Sequence, residues 1–264
     1  VDPYILGLWL GDGFSTGIQY AVGLNDADYM RKAYESQGYI VTKSGTKNIY
    51  AYNVSGLKMG LKKYNLINNK HIPEEFLFSS IEQRKELLRG LMDTDGCCFE
   101  GRCLFSNTNP FILKGLKFLL SSLGVKFTVS KSKRKKSHHK QLEVVSFFPT
   151  FNSFKMERKA KILNDRLGKL QDSRTQYRRV LKVDYLGRGN ATCFHVDSLN
   201  SSFLAGEQMI VTHNSIQYAG KAIETKHPKI YNCAVRHIDS LRSFSEVFFL
   251  LLNGNGVGLG ISKY

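Results

Sequence analysis

Two acidic residues, each near the end of the same short pattern, are the first candidates for chemistry in this chain. Asp12 lies in "YILGLWLGDGFS" (residues 4–15), and Asp95 lies in "ELLRGLMDTDGCC" (residues 86–98). Both segments contain Gly-Leu-apolar-x-x-Asp-Gly, in which a helical apolar pattern ends at an acid followed by glycine. A lone acid in this position is an ordinary turn residue. Two copies in one context instead favour a shared site, because paired carboxylates offer the oxygen ligands that hard divalent cations bind.

Glycines inside and after the two motifs indicate how the acids are positioned. Gly7 and Gly90 interrupt helical patterns, where glycine costs roughly 1 kcal/mol relative to alanine. Close approach of another backbone offsets such a cost, so the two motif helices are expected to pack together and to bring the acids side by side. Gly13 and Gly96 follow the acids directly, which predicts a left-handed turn that closes each helix.

The segments after the two motifs repeat the same order of elements. Each motif is followed by strand-like, then helical, then further strand-like sequence. These segments are residues 17–24, 26–38, 39–45 and 48–56 in the first copy and residues 97–107, 109–124, 125–131 and 142–148 in the second. The order helix, strands, helix, strands thus occurs twice in about 160 residues, which predicts an internal duplication of an α+β unit.

The charge of the chain favours a polyanionic partner. Its 264 residues include 38 Lys and Arg against 22 Asp and Glu, which gives a formal net charge of +16. Nucleic acid is the first candidate and an anionic membrane surface the second. No apolar run approaches the ~18 residues of a transmembrane helix, and no leader is evident. Five cysteines without a C-x-x-C pair favour a reducing, cytoplasmic setting of a bacterial or phage-like kind.

A basic stretch, "SKSKRKKSHHK" (residues 130–140), lies between two strand patterns of the second copy. A solvated loop is one interpretation of such a run. Its position at a strand-to-strand turn favours contact with phosphates instead. The basic residues in this stretch that are predicted to bind DNA are Lys131, Lys133, Arg134, Lys135, Lys136 and Lys140.

A second candidate for chemistry is the tripeptide His213-Asn214-Ser215. The side-chain amide of Asn214 can attack its own backbone carbonyl, which forms a succinimide and breaks the following peptide bond. A neighbouring histidine can act as acid or base for that step, and the hydroxyl of Ser215 can attack an upstream acyl group. The alternative is an ordinary turn, in which asparagine and serine are common.

The sequence around this tripeptide differs from the duplicated part. Residues 166–190 are polar and basic and are expected to form a connection. Residues 193–196, 203–205 and 209–211 are short strand patterns. The last two are predicted to pair as a hairpin with its turn at residues 206–207.

Residues 6–13 and 88–96 resemble the paired dodecapeptide motifs of LAGLIDADG homing endonucleases, and residues 69–96 resemble the usual approach to the second motif. The resemblance covers about residues 1–165. It implies an α+β fold of two pseudo-symmetric, αββαββα-like half-domains at about residues 1–80 and 81–165. The two motif helices would lie at their interface, and each half-domain would place a curved antiparallel sheet in the DNA major groove. The departure in the first motif is Leu10, where the second has Asp93. That inner acid is not a metal ligand in the family.

The same resemblance implies a site-specific, Mg²⁺-dependent double-strand DNA endonuclease. The last acid of each motif binds the catalytic Mg²⁺ ions, which assigns that role to Asp12 and Asp95. Family members also use a lysine in each half near the scissile phosphates, and the sequence alone does not locate it. A catalytically inactive DNA-binding module is the alternative, and the intact acids favour the enzyme. A monomer is expected.

The C-terminal segments are similar to the splicing motifs of inteins, with residues 193–206 as the penultimate block and residues 209–214 followed by Ser215 as the last. Inteins often carry a LAGLIDADG endonuclease in their splicing domain, in the order found here. The resemblance makes residues 191–214 the C-terminal splicing segment, with His213, Asn214 and Ser215 at the scissile junction. An endonuclease carried as a passenger in a self-processing protein is a further alternative.

Two more expectations follow from the intein resemblance. The chain opens inside the endonuclease, so an N-terminal splicing segment is expected as a missing partner. Residues 215–264 would belong to the host protein, and they resemble part of a ribonucleotide reductase catalytic subunit. In that comparison Cys233 matches a substrate-reducing thiol, whereas a buried cysteine is the alternative.

Overall fold

The computed structural model describes residues 1–44, 50–132, 141–167, 184 and 202–213. The chain separates into two compact units, Val1–Gln176 and Tyr177–Tyr264. The helices described in the first unit are α1 (Pro3–Asp12), α2 (Leu24–Glu35), α3 (Leu57–Lys63), α4 (Glu74–Leu77), α5 (Ile81–Asp95), α6 (Pro110–Ser122) and α7 (Glu157–Leu167). Its strands are β1 (Gln19–Ala21), β2 (Ile40–Lys43), β3 (Ala51–Ser55), β4 (Gly96–Phe99), β5 (Arg102–Asn107), β6 (Phe127–Lys131) and β7 (Glu143–Phe147). The second unit contributes β8 (Ser202–Ala205) and β9 (Ile210–His213).

The two motif helices begin at well-formed N-terminal caps. The Asp2 carboxylate accepts hydrogen bonds from the backbone N–H groups of Tyr4 and Ile5, just before α1. Ser80 and Gln83 form a reciprocal capping box at the start of α5. These caps satisfy amide groups that otherwise lack partners in the first turn, so each helix begins at a fixed residue.

The motif helices pack against each other through their glycines, as the sequence predicts. A Cβ on Gly7 would lie 2.8 Å from the Cα of Gly90 and 2.5 Å from the carbonyl oxygen of Leu87. A Cβ on Gly90 would lie 2.3 Å from the carbonyl oxygen of Tyr4. Real Cβ contacts are not this short, so only glycine permits the two backbones to approach so closely.

The left-handed turn predicted at the end of each motif helix is wrong. Gly13 has φ −70° and ψ 150°, and Gly96 has φ −95° and ψ 154°, so both are extended. Glycine is required here by space: a Cβ would lie 2.3 Å from the Trp9 carbonyl oxygen at Gly13 and 2.6 Å from the Met92 carbonyl oxygen at Gly96. After each motif helix the backbone is therefore extended from the glycine onward, and the glycine packs closely against the last helical turn.

Each half carries an antiparallel sheet, and the mixed helix and sheet class is confirmed. The second half follows the order αββαββα from α5 to α7, with strands in the spatial order β4-β5-β7-β6. The first sheet has the order β1-β3-β2 among the residues described, one strand fewer than predicted for a full repeat. The missing strand is the one that would correspond to β4. In its place, one isolated β-bridge joins Gly13 to Tyr20 of β1, as β4 pairs with β5 in the second half.

One hydrophobic core runs through the first unit and includes both motif helices. The side chains of Trp9, Tyr20 and Phe105 are completely buried. Tyr20 stacks on Tyr34, with ring centroids 5.0 Å apart. Helix α1 is apolar on every side and is therefore buried in the core. Its burial fixes the position of Asp12 at its C-terminal end.

The hairpin predicted in the second unit is confirmed. Strand β8 pairs with β9 in antiparallel register, with Ala205 opposite Ile210. The connecting turn contains Gly206 at φ 70°, and the Met209 N–H donates to the Gly206 carbonyl oxygen at 3.0 Å. The predicted strand at residues 193–196 lies outside the described residues, as does most of the predicted connection.

Within the part of the chain that the structure describes, no helix is both long and apolar enough to cross a membrane.

Candidate functional site

The acids Asp12 and Asp95 lie at the ends of two helices that remain in contact to their last turn. A Cβ on Gly11 would lie 2.0 Å from the Oγ1 of Thr94, so the helices touch one residue before each acid. Thr94 turns its hydroxyl inward and donates it to the carbonyl oxygens of Gly90 and Leu91. The predicted pairing of the two acids at one end of the helix pair therefore agrees with this packing.

Electrostatics at this end of the helix pair disfavour two negative charges. Burial raises the pKa of Asp12 to about 6, and repulsion from Asp95 adds to that rise. Burial also raises the pKa of Asp95. Two partly buried carboxylates that repel each other form a place where a divalent cation lowers the energy of both.

The two acids differ in their hydrogen bonds. Asn107, at the end of β5, donates its Nδ2 to Asp95 Oδ2 at 2.8 Å, which lowers the pKa of Asp95 against the effect of burial. Among the described residues, none donates a hydrogen bond to the carboxylate of Asp12. The Asp95 carboxylate is therefore oriented by a hydrogen bond that the Asp12 carboxylate lacks among the described residues.

The ammonium group of Lys70 caps the C-terminal end of α1. Its Nζ donates to the carbonyl oxygens of Leu10 at 2.9 Å, Gly11 at 3.2 Å and Gly13 at 2.5 Å. The ammonium group also lies 5.0 Å from the centre of the Trp9 ring. Burial lowers the pKa of Lys70 to about 8, and the attraction of Asp95 and Asp12 opposes that fall.

Lys159 closes the C-terminal end of α5 in the same way. Its Nζ donates to the carbonyl oxygens of Asp93 at 2.7 Å, Gly96 at 2.8 Å, Met92 at 3.2 Å and Thr94 at 3.3 Å. Burial lowers the pKa of this lysine as well. Because the carbonyls of residues 93, 94 and 96 correspond to those of residues 10, 11 and 13, the two lysines are equivalent under the internal duplication.

Each lysine acts more strongly on the acid of the opposite half. The pKa of Asp12 is lowered more by Lys159 than by Lys70, and that of Asp95 more by Lys70 than by Lys159. The four groups thus form one crossed cluster of two acids and two lysines. Sequence reasoning expected a lysine in each half but did not locate it. The usable signal for Lys70 was its place in the "NKHIPEEF" segment before the second motif.

The donor set fits a hard divalent cation only if other oxygens complete it. No group of three or more His, Cys, Asp or Glu side chains suited to a metal occurs in the described ranges. The pair of Asp12 and Asp95 supplies two carboxylates at most. Mg²⁺ is commonly bound by one or two carboxylates together with substrate phosphates and water, and a pair of this kind meets that requirement.

A scan against protein families matches residues 82–147 to the LAGLIDADG-like domain. The match covers about a quarter of the chain. The matched range contains Asp95 and Asn107, whereas Asp12, Lys70 and Lys159 lie outside it.

One curated relative is the replicative DNA helicase DnaB of Mycobacterium intracellulare. It is 32% identical to this chain over 219 residues, which is 81% of the chain and 35% of that relative. The chain thus spans about a third of the length of the relative it matches.

Similar solved structures are those of the homing endonuclease I-DmoI. A variant in complex with its target DNA in the presence of manganese has a TM-score of 0.42 and 17% identity, over 63% of this chain and 93% of that one. A complex with DNA and calcium has a TM-score of 0.39 and 16% identity, over 63% and 88% of the two chains.

The remaining predicted site residues are placed only in part. Lys131 ends β6 with its side chain exposed, and its Nζ lies 3.8 Å from Glu143 Oε1. His213 is the last residue of β9. The other predicted residues lie outside the described ranges, namely Lys133, Arg134, Lys135, Lys136, Lys140, Asn214, Ser215 and Cys233.

Proposed function

We propose that the first unit is a Mg²⁺-dependent endonuclease that cuts both strands of a specific DNA site. The observation that carries this proposal is the crossed cluster of Asp12, Asp95, Lys70 and Lys159 at the end of the paired motif helices. An inactive DNA-binding module would have no need to keep two mutually repelling acids partly buried. The LAGLIDADG-like domain and the net charge of +16 support the same conclusion.

In this proposal the side chains have separate roles. Asp12 and Asp95 hold the metal ions, and Asn107 fixes the orientation of the Asp95 carboxylate. Bound Mg²⁺ supplies Lewis acidity at the scissile phosphate and lowers the pKa of the attacking water. Lys70 and Lys159 have their N–H groups occupied by carbonyl oxygens, so they act through their positive charge, which attracts the phosphates and stabilises negative charge that develops on them.

The test of the endonuclease is a pair of charge-removing variants. Asp12→Asn or Asp95→Asn should abolish cleavage of target DNA and leave DNA binding largely intact, because only the metal-binding charge is lost. Asp28→Asn is the matched control, since Asp28 is an exposed acid paired with Lys32 on α2. Cleavage is followed on a DNA library with Mg²⁺, and binding by mobility shift with Ca²⁺. Full cleavage by either site variant would contradict the assignment.

We further propose that this endonuclease is carried by an intein, whose C-terminal splicing segment ends at Asn214. The hairpin of β8 and β9 leads directly to that residue. The similarity to a replicative DNA helicase over 219 residues supports the proposal, because a match to 81% of this chain but only 35% of that relative is what a module inserted in a longer host protein would give. The ribonucleotide reductase host and the role of Cys233 stay proposals on the sequence resemblance alone.

A further inference from the structure

Asp93, the inner acid of the second motif, has no role in the proposed metal site and yet is almost completely buried, with 3% of its surface exposed. Its carboxylate accepts hydrogen bonds from three donor groups. The Tyr4 hydroxyl donates to Oδ2 at 2.7 Å, and the backbone N–H groups of Lys155 and Met156 donate at 3.1 Å. A buried carboxylate with this many donors is a fixed structural junction.

The residues that Asp93 holds are those that start α7. Met156 directly precedes this helix, and its carbonyl oxygen accepts the backbone N–H groups of Lys159 and Ala160. The Asp93 carboxylate therefore lies at the N-terminal end of an eleven-residue helix, where negative charge is favourable. Lys159 lies within the first turn of α7, so the position of its backbone follows that of Met156.

The backbone of Asp93 also contacts Lys159 directly. The Nζ of Lys159 donates to the Asp93 carbonyl oxygen at 2.7 Å. One residue thus fixes both the start of the helix that carries Lys159 and one of the acceptors of its ammonium group.

The first half has no acid equivalent to Asp93, and its lysine is held in a different way. Leu10 occupies the equivalent position, and Lys70 lies between α3 and α4 rather than in the first turn of a long helix. Its backbone is held instead by Asn109, whose Nδ2 donates to the Lys70 carbonyl oxygen at 2.9 Å. The two halves therefore place equivalent lysines by different means.

We infer that Asp93 is a positioning residue that places Lys159 in the cleavage site, so that the DNA strand served by Lys159 depends on Asp93 and the other strand does not. This inference rests on the proposed endonuclease function.

A double-mutant cycle with separately labelled strands tests it. In single-turnover cleavage, Asp93→Asn should slow the same strand that Lys159→Ala slows, by on the order of a hundredfold, because displaced catalytic groups lose about that factor. The double variant should be no slower than Lys159→Ala alone, since both changes remove one effect. With Lys70→Ala as the control partner, Asp93→Asn should still slow the strand that Lys159 serves by its full factor, and the other strand should be no slower than in Lys70→Ala alone. Equal slowing of both strands, or multiplication with Lys159→Ala, would overturn the inference.

Two further measurements separate the possible failures. If Asp93→Asn does not fold, Tyr4→Phe takes its place; it removes one hydrogen bond to the carboxylate and should slow the same strand about tenfold. Amide hydrogen exchange is independent of cleavage: Asp93→Asn should expose the amides of residues 155–160 and leave those of α1 protected. A wild-type chain that does not cut DNA contradicts the proposed function, whereas unchanged exchange at residues 155–160 contradicts the positioning role.

Discussion

At the residue scale, the acids of the site are placed where they weaken the fold. The pKa of Asp12 rises from its usual 3.8 to about 6, because burial and Asp95 both disfavour its charge. The folded chain therefore binds the proton more tightly than the unfolded chain does. Stability falls as the pH rises from the lower pKa value through the higher one, and the loss is complete about one pH unit above the higher value.

Removing the charge of Asp12 should therefore stabilise the protein while it abolishes cleavage. At pH 7.5 in EDTA, Asp12→Asn should raise the free energy of unfolding by on the order of 1–2 kcal/mol, a figure reduced for partial solvent screening. Denaturant unfolding at pH 7.5 and at pH 3.5 measures it, and the gain should vanish at the lower pH. Adding Mg²⁺ should raise the melting temperature of the wild type and not of the variant. Asp28→Asn serves as the control, and a loss of stability in Asp12→Asn would refute the argument.

At the element scale, what the sequence predicts well is the repeated helix. Gly7 and Gly90 disclose the contact between α1 and α5 because only a close backbone approach explains glycine inside an apolar helix. The prediction of a left-handed turn at Gly13 is wrong for a simple reason. A glycine needed for lack of space and a glycine needed for a positive φ angle cannot be distinguished in a sequence. The predicted αββαββα order includes a final helix, but the sequence pattern did not assign its residues, since the many charges of α7 resemble the polar connection that follows it. Lys159 was missed for the same reason: its partners are backbone carbonyls, which no side-chain pattern discloses.

The packing of these helices gives a stability prediction. Gly7→Ala and Gly90→Ala each place a Cβ within 3 Å of backbone atoms of the other helix, which cannot move without separating the pair. Each change should lower the free energy of unfolding by about 1–3 kcal/mol, the usual cost of overpacking a tight core. Chemical denaturation checks it. Gly17→Ala is the control, because a Cβ there has open space within 4 Å. Equal effects at all three positions would mean that the close approach of the helices does not matter.

At the scale of the whole molecule, the net charge of +16 predicts DNA binding that weakens steeply with salt. The basic stretch at residues 130–140 should contribute to that dependence. One variant replaces Lys133, Arg134, Lys135 and Lys136 by Ala. The control variant removes the same charge from exposed helix positions, at Lys58, Lys62, Lys63 and Lys114. For every DNA phosphate that the first variant no longer neutralises, the slope of log K against log[salt] should become shallower by about 0.9. Equal slopes for the two variants would make the stretch a solvated loop.

The intein proposal concerns the whole molecule, since it divides the chain at one peptide bond. Cyclisation of Asn214 requires a fold that holds the side-chain nitrogen against its own carbonyl, and loose geometry can cost a factor of about a hundred or more. The chain alone should therefore stay mostly intact.

Supplying an N-terminal splicing segment should release a fragment that begins at Ser215, and Asn214→Ala should stop the release because alanine has no side-chain nitrogen to attack the carbonyl. Mass spectrometry of the reconstituted mixture measures both results, and Ser215→Ala is the matched variant that should still permit cleavage after Asn214. A fragment beginning at Ser215 from the Asn214→Ala chain, or none from the reconstituted parent, would show that this junction is not a splicing site.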